Sequence, residues 1–286
     1  MNRVKNILKG IAAGFFSNVL TIILPFISRT IIIQRLGTEY VGLGSLFTSI
    51  LQVLSLTDLG FGAAISYMLY KPLAENDCKQ VNALLALYKK IYRIVGIVIS
   101  LLCILTVPIL PCLIKSDVPN DIDIHILFFI YAVNAVISYF FFAYKKILLS
   151  ANQRYDLEVN ISTFSLILQY VLQIGMLLWL ENYYLYAVAI PIATFTNNCI
   201  SAVVVKKIYP QFQCGGHIEY KEIRTIAKNT IGTFTSKIGS TVFLSADNIV
   251  ISAFLGLATL GKYNNYYYVV SSLIMFFAVI HNSIRP

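Results

Sequence analysis

The feature that most limits how this chain can fold is the recurrence of apolar stretches about one membrane thickness long. A helix rises 1.5 Å per residue, so about 20 apolar residues cross a hydrocarbon core of ~30 Å. Stretches of this kind occupy residues 10–33, 41–70, 94–114, 126–149, 161–180 and 185–205, a seventh from 228 onward, and an eighth over 266–284. Water is absent from that core, so each spanning segment must satisfy its backbone polar groups internally, and for unbranched apolar runs this means an α-helix. Of the 286 residues, 58% are hydrophobic and only 12% charged, well away from soluble-domain norms. The expected fold class is therefore an all-α polytopic membrane protein.

The connections carry the orientation. Arg3, Lys5 and Lys9 precede the first span, Lys71, Lys79, Lys89, Lys90 and Arg93 follow the second, and Lys145, Lys146 and Arg154 follow the fourth. The intervening loops are acidic or aromatic: Asp117, Asp121 and Asp123 after the third span, and Trp179, Tyr183, Tyr184 and Tyr186 around the fifth and sixth. Positively charged loops stay on the cytosolic side and aromatic rings collect at interfaces, which places the N-terminus inside. The same alternation argues against nucleic acid as the reason for the net charge of +9, since the cations are dispersed over alternate loops. The first span leads directly into a second and reads as retained, not as a cleaved signal peptide. Cys78, Cys103, Cys112, Cys199 and Cys214 lack metal-like or disulfide-like spacing, and His125, His217 and His281 are scattered, so no cofactor or metal is expected.

The beginning of the chain recurs near its end. At a constant difference of 219, Lys9 aligns with Lys228, Phe15 with Phe234, Ser17 with Ser236 and Ile32 with Ile251. Leu36, Gly37 and Gly42 align with Leu255, Gly256 and Gly261 at the same difference. Six spans separate the two copies, an even number, so both enter the membrane in the same direction as a parallel repeat. The expected organisation is an N-terminal six-helix lobe over 1–205, a cytosolic linker over 206–227, and the first two helices of a second lobe over 228–286. On this reading the chain is a C-terminally truncated form of a twelve-span protein; eight spans as a complete fold is the alternative.

Polar residues inside spans mark the candidate site, because an ionisable group at mid-membrane costs ~2.5–3.5 kcal/mol unless pairing or function compensates. Ser17, Asn18, Thr21 and Ser28 share one sector of the first span, and Thr194, Asn197, Asn198 and Ser201 cluster in the sixth. Both patterns indicate helix contact or a wet cavity. Arg29 and Lys237 are candidate cavity cations, and Asp58 and Asp247 candidate ion or proton sites. The bland alternatives are that Arg29 snorkels to the interface, Asp58 caps or pairs near the inner one, and Lys237 pairs with a neighbouring carboxylate. Tyr263, Tyr266, Tyr267 and Tyr268, with Asn264 and Asn265, either meet sugar rings or form an interfacial belt. No nucleophile elbow, phosphate loop or zinc motif occurs, and no loop is long enough for a catalytic domain, so the expectation is a non-enzyme.

R-x-x-I-x-x-x-L-G-x-x-x-x-G-L over 29–43, L-x-D-L-G-F-G-A-A-I over 56–65 and A-D-N-I-V-I-S-A-F-L-G-L-x-x-L-G-x-Y over 246–263 resemble Wzx-like polysaccharide (O-antigen) flippases. These belong to the multidrug/oligosaccharidyl-lipid/polysaccharide exporter superfamily. The resemblance implies two six-helix bundles facing a central cleft in a bacterial cell membrane. It implies export of an undecaprenyl-pyrophosphate-linked oligosaccharide, as in lipopolysaccharide assembly, by alternating access, with a proton or sodium gradient as the driving force. By motif position it nominates Arg29, Asp58, Lys237 and Asp247; Arg29 and Lys237, with Asn18 and Asn197 from the polar faces of their spans, are the substrate-binding candidates, and Asp58 and Asp247 the ion-coupling candidates. A cation-coupled multidrug exporter of the same superfamily and a membrane glycan polymerase or ligase are the competing readings.

Overall fold

A computed structural model describes residues 2–55, 61–115, 118–216, 218, 238–239 and 241–284, with side chains described for most of them. Among these residues there are ten α-helices and no strand. They are α1 (Asn2–Arg35), α2 (Thr38–Leu54), α3 (Phe61–Ala74), α4 (Cys78–Thr106), α5 (Ile124–Phe140), α6 (Ile147–Ala151), α7 (Tyr155–Leu180), α8 (Tyr183–Ile208), α9 (Thr241–Leu255) and α10 (Leu257–Ile284). Gly14–Arg35, Cys78–Leu113, Tyr155–Leu180 and Tyr183–Ile208 are each long and apolar enough to cross a membrane. The pair Ile124–Phe140 and Ala143–Ala151 makes a fifth span bent by 52°. The chain is an all-α polytopic membrane protein.

Two apolar cores stabilise the bundle at different heights. Leu43, Leu46 and Phe47 of α2 pack with Phe128 and Tyr131 of α5, Leu177 of α7, Ala187 of α8 and Leu257 of α10. Phe47 makes edge-to-face contacts with both Phe128 and Tyr131, at centroid separations of 5.5 and 5.7 Å. The second core gathers Ile65 and Leu69 of α3, Val81, Leu84 and Tyr88 of α4, Leu148 and Leu149 of α6, and Val205 of α8. Outside both, large apolar side chains such as Leu101, Ile104, Phe164 and Val171 face outward. In water this belt would be an aggregation surface; against lipid tails it costs nothing.

Three boundaries differ from the sequence reading. Residues 71–93 are expected to be a loop, yet α4 begins at Cys78, capped by Asp77, whose carboxylate accepts from the backbone N–H groups of Lys79 and Gln80 at 3.0 Å. The lysines there mask an amphipathic turn whose Val81, Leu84, Leu85 and Tyr88 are buried in the second core. The fourth span is not one helix: α5 ends at Phe140, and Phe142 adopts a left-handed conformation with φ 59° before the chain resumes at another angle. The last helix starts at Leu257, nine residues before the expected 266. The expected second span, 41–70, is occupied by α2 and α3, with 56–60 outside the described residues.

The repeat has a geometric counterpart. α1 and α9 end one residue before or at Leu36 and Leu255; Gly37 and Gly256 follow with φ 122° and 87°; α2 and α10 then start at Thr38 and Leu257. Positive φ is open to glycine without a Cβ penalty, so both turns use it. α2 and α10 cross backbone against backbone. A Cβ on Gly42 would lie 2.3 Å from the Leu257 carbonyl oxygen, and one on Gly261 would lie 2.0 Å from that of Thr38. Residues 38 and 257, like 42 and 261, are repeat mates, so each helix presents the same two positions to the other. A contact of this form has two-fold symmetry.

Candidate functional site

Beside this crossing lies a cavity of about 420 Å³, walled by α1, α2, α5, α7, α8, α9 and α10. Its wall from α1 carries Pro25, Ser28 and Arg29, and its wall from α2 carries Ser45, Thr48, Ser49 and Gln52. Helical spacing puts these residues on one side of each helix, since i, i+3, i+4 and i+7 share a face. Gln169, Tyr170 and Gln173 come from α7, Tyr183 and Tyr186 from α8, Asn248 from α9, and Asn264 and Tyr267 from α10. Among the described residues, Arg29 is the only charged residue in the lining and no carboxylate contributes to it.

Arg29 donates from Nη1 to the Asn264 carbonyl oxygen at 3.2 Å and lies 4.8 Å from the centre of the Tyr268 ring. These are a neutral acceptor and an aromatic face; neither neutralises the guanidinium charge. A guanidinium has five N–H donors, so most of its capacity faces the cavity. Around it, Asn264 Nδ2 donates to Asn248 Oδ1 at 2.9 Å, and Asn248 Nδ2 donates to Ser49 Oγ at 2.7 Å. Arg29 and Asn248 are repeat mates, as are Ser49 and Tyr268, so the contact of Arg29 with Tyr268 and that of Asn248 with Ser49 are related by the repeat and the two-fold relation extends into the cavity wall. Gln173 is buried and donates weakly to the Tyr186 carbonyl oxygen at 3.5 Å, leaving its own Oε1 without a protein partner. Such a set offers one unneutralised cation amid amides and hydroxyls, suited to an anion that also carries hydroxyl groups.

Register places the cavity toward the end of the bundle where α1 finishes and α8 begins, opposite the basic loops. Arg29 is six residues before the end of α1, and Tyr183 opens α8. Above it, Tyr40 donates to Asp121, and Tyr183 donates to the Tyr40 carbonyl oxygen at 2.8 Å. Lys115 donates to the Phe254 carbonyl oxygen at 2.7 Å, and Arg35 pairs with Glu181 at 2.7 Å. Burial and the Asp121 carboxylate together push the Tyr40 phenol above its ordinary range, so it stays a donor.

Of the residues singled out from sequence, Arg29 lines this cavity, while Asn18 and Asn197 do not. Asn18 is half-buried on α1, and Asn197 is half-buried on α8 with its Oδ1 lacking a protein partner. Asp247 is exposed and accepts from the Tyr263 hydroxyl at 3.0 Å; its neighbour Asn248 is the α9 residue in the wall. Lys237 and Asp58 lie outside the described residues. Sequence reasoning missed Asn248 and Ser49 altogether. The repeat register carried the signal, because Asn248 is the mate of Arg29.

The fold and site define a helical membrane bundle that holds a polar cavity beside a two-fold helix crossing. The chain matches the family described as polysaccharide biosynthesis protein over residues 7–286 and belongs to that family. No curated protein and no solved structure matches it.

Proposed function

We propose that this protein is a flippase that moves a lipid-linked oligosaccharide across a bacterial cell membrane for cell-surface polysaccharide synthesis. The observation that carries this reading is Arg29: a cation held by a carbonyl and a ring, in a cavity to which the described residues bring no carboxylate, inside a member of a polysaccharide biosynthesis family. The pyrophosphate of an undecaprenyl-linked oligosaccharide would take the free guanidinium donors. Amides of Gln173, Asn248 and Asn264 would take sugar hydroxyls, and the polyprenyl tail would stay among the lipids.

The reading includes two lobes related by the repeat, with the first lobe over 1–205, a linker over 206–227 and the first helices of a second lobe from 228. Rocking of one lobe against the other would alternate access, and the ties among Tyr40, Asp121, Lys115 and Phe254 support an outward side that is closed in this state. Lys237 is proposed as a second anion-facing cation, Asn18 and Asn197 as substrate contacts reached in another state, and Asp58 and Asp247 as proton or sodium coupling groups. The protein itself is proposed to carry out no covalent chemistry. A cation-coupled drug exporter is the weaker reading, because such a substrate calls for an acidic cavity.

The deciding experiment measures surface glycan in cells that depend on this protein, with Arg29→Ala and Lys237→Ala produced at normal levels. Loss of surface glycan with accumulation of the lipid-linked precursor is expected. Undiminished surface glycan in Arg29→Ala would remove the basis for the assignment.

A further inference from the structure

A second, independent site lies at the basic end of the bundle. Lys89, Arg93, Ile97, Leu101 and Leu105 follow one another at four-residue steps along α4 and so form one continuous ridge, which winds gradually around the helix because each step turns about 40° beyond a full turn. The three apolar members are 53%, 56% and 65% exposed, so the stripe consists of two cations followed by bare hydrocarbon. From Arg93 to Leu105 the helix rises about 18 Å, close to half of a ~30 Å hydrocarbon core. That is the depth of one leaflet.

Two depressions meet at the head of this stripe, sharing Lys89 and Tyr144. One, of about 370 Å³, adds Lys145 and Lys206; the other, of about 120 Å³, adds Arg93, Phe140 and Phe142. Among the described residues no carboxylate lines either one. Lys89 Nζ stands 5.5 Å from the Tyr144 ring centre and Lys145 Nζ 5.5 Å from that of Phe142. Among the described residues none of these four cations has a carboxylate within ion-pair distance. The bend after α5 builds the aromatic wall: the Phe140 ring lies so close over Gly96 that a Cβ there would meet it at 2.5 Å.

We infer that α4, the bend and the inner end of α8 form a binding site for the phosphodiester head group of an anionic phospholipid, with an acyl chain along Ile97, Leu101 and Leu105. Cations clustered between transmembrane helices at a membrane surface recognise such head groups. A soluble phosphate could engage the same cations but would leave the hydrocarbon stripe without a function, and the continuity of the two selects the lipid.

Native mass spectrometry of the detergent-purified full chain, titrated with dioleoyl phosphatidylglycerol or dioleoyl phosphatidylcholine, tests this. Phosphatidylglycerol is expected to bind preferentially, and Lys89→Gln with Arg93→Gln to weaken it about tenfold while leaving phosphatidylcholine unchanged. Lys71→Gln with Lys90→Gln removes equal charge from exposed positions outside the depressions and is expected to leave both lipids unaffected. Should the first pair aggregate, Arg93→Gln alone, at an exposed position, is expected to show the same selective loss in smaller degree. Equal losses in the two pairs, or no preference for phosphatidylglycerol, would overturn the site. Displacement of the lipid by glycerol phosphate at matching concentration would overturn the lipid assignment.

Discussion

Under the proposed function recognition turns on Arg29, and its chemistry separates charge from shape. Arg29→Lys keeps a cation and its contact with the Tyr268 ring but loses the planar fork that can grip a phosphate with two parallel hydrogen bonds. Export in vesicles or cells is expected to fall more than about tenfold for Arg29→Ala, and by less for Arg29→Lys, corresponding to at least ~1.4 kcal/mol of lost stabilisation. Asn248→Ala should mimic part of this defect by freeing both Ser49 and Asn264 from their partner, readable in the same assay. At the inner end of α7, Arg154 holds Asp156 through hydrogen bonds of 3.0 and 3.1 Å, and that bonding keeps the carboxyl below its ordinary value. A depressed carboxyl contributes stability above its unfolded pKa and loses it as pH falls through the folded one. The thermal destabilisation caused by Arg154→Gln should therefore be present at neutral pH and fade as acid protonates Asp156, as followed by thermal unfolding in detergent.

Among the elements, the α2–α10 crossing depends on two glycines. Gly42→Ala places a methyl group against the Leu257 carbonyl, a backbone atom that cannot rotate aside, so the helices must separate. A destabilisation of ~1–3 kcal/mol is expected, visible as a lowered melting temperature. Gly175→Ala on α7, where a Cβ meets nothing within 4 Å, should be neutral or stabilising in the same measurement. The all-helical fold was legible from apolar length alone, because lipid leaves the backbone no alternative, but the division of 41–70 and 126–149 into two helices each was not. Nor were the helix ends. Lys79, Lys89 and Lys90 read as loop although Val81, Leu84 and Tyr88 between them are core, and nothing in the apolar 126–149 run announced the turn at Phe142. Arg29 was legible because charge in a span is rare; Gln173, Asn248 and Asn264 needed the packing, since an amide on a helix can equally bridge two helices or face a cavity.

For the whole molecule, sidedness is directly measurable with the cysteines already present. Cys78 starts α4 at the basic end and Cys112 sits at the opposite end of the same span; both are exposed. In intact cells, a membrane-impermeant maleimide should label a variant retaining only Cys112, and label one retaining only Cys78 after the membrane is opened. The reverse pattern would invert the orientation read from the charged loops. The glycine crossing has a consequence for origin as well as motion. A face that meets its own mate through positions 38 and 42 needs no covalent connection to do so, and two separate copies of a single six-helix unit could have docked through it. The linker proposed over 206–227 would then have made permanent an encounter that the glycines already permitted, leaving each half free to specialise its wall: an arginine at 29 in one copy, an asparagine at 248 in the other.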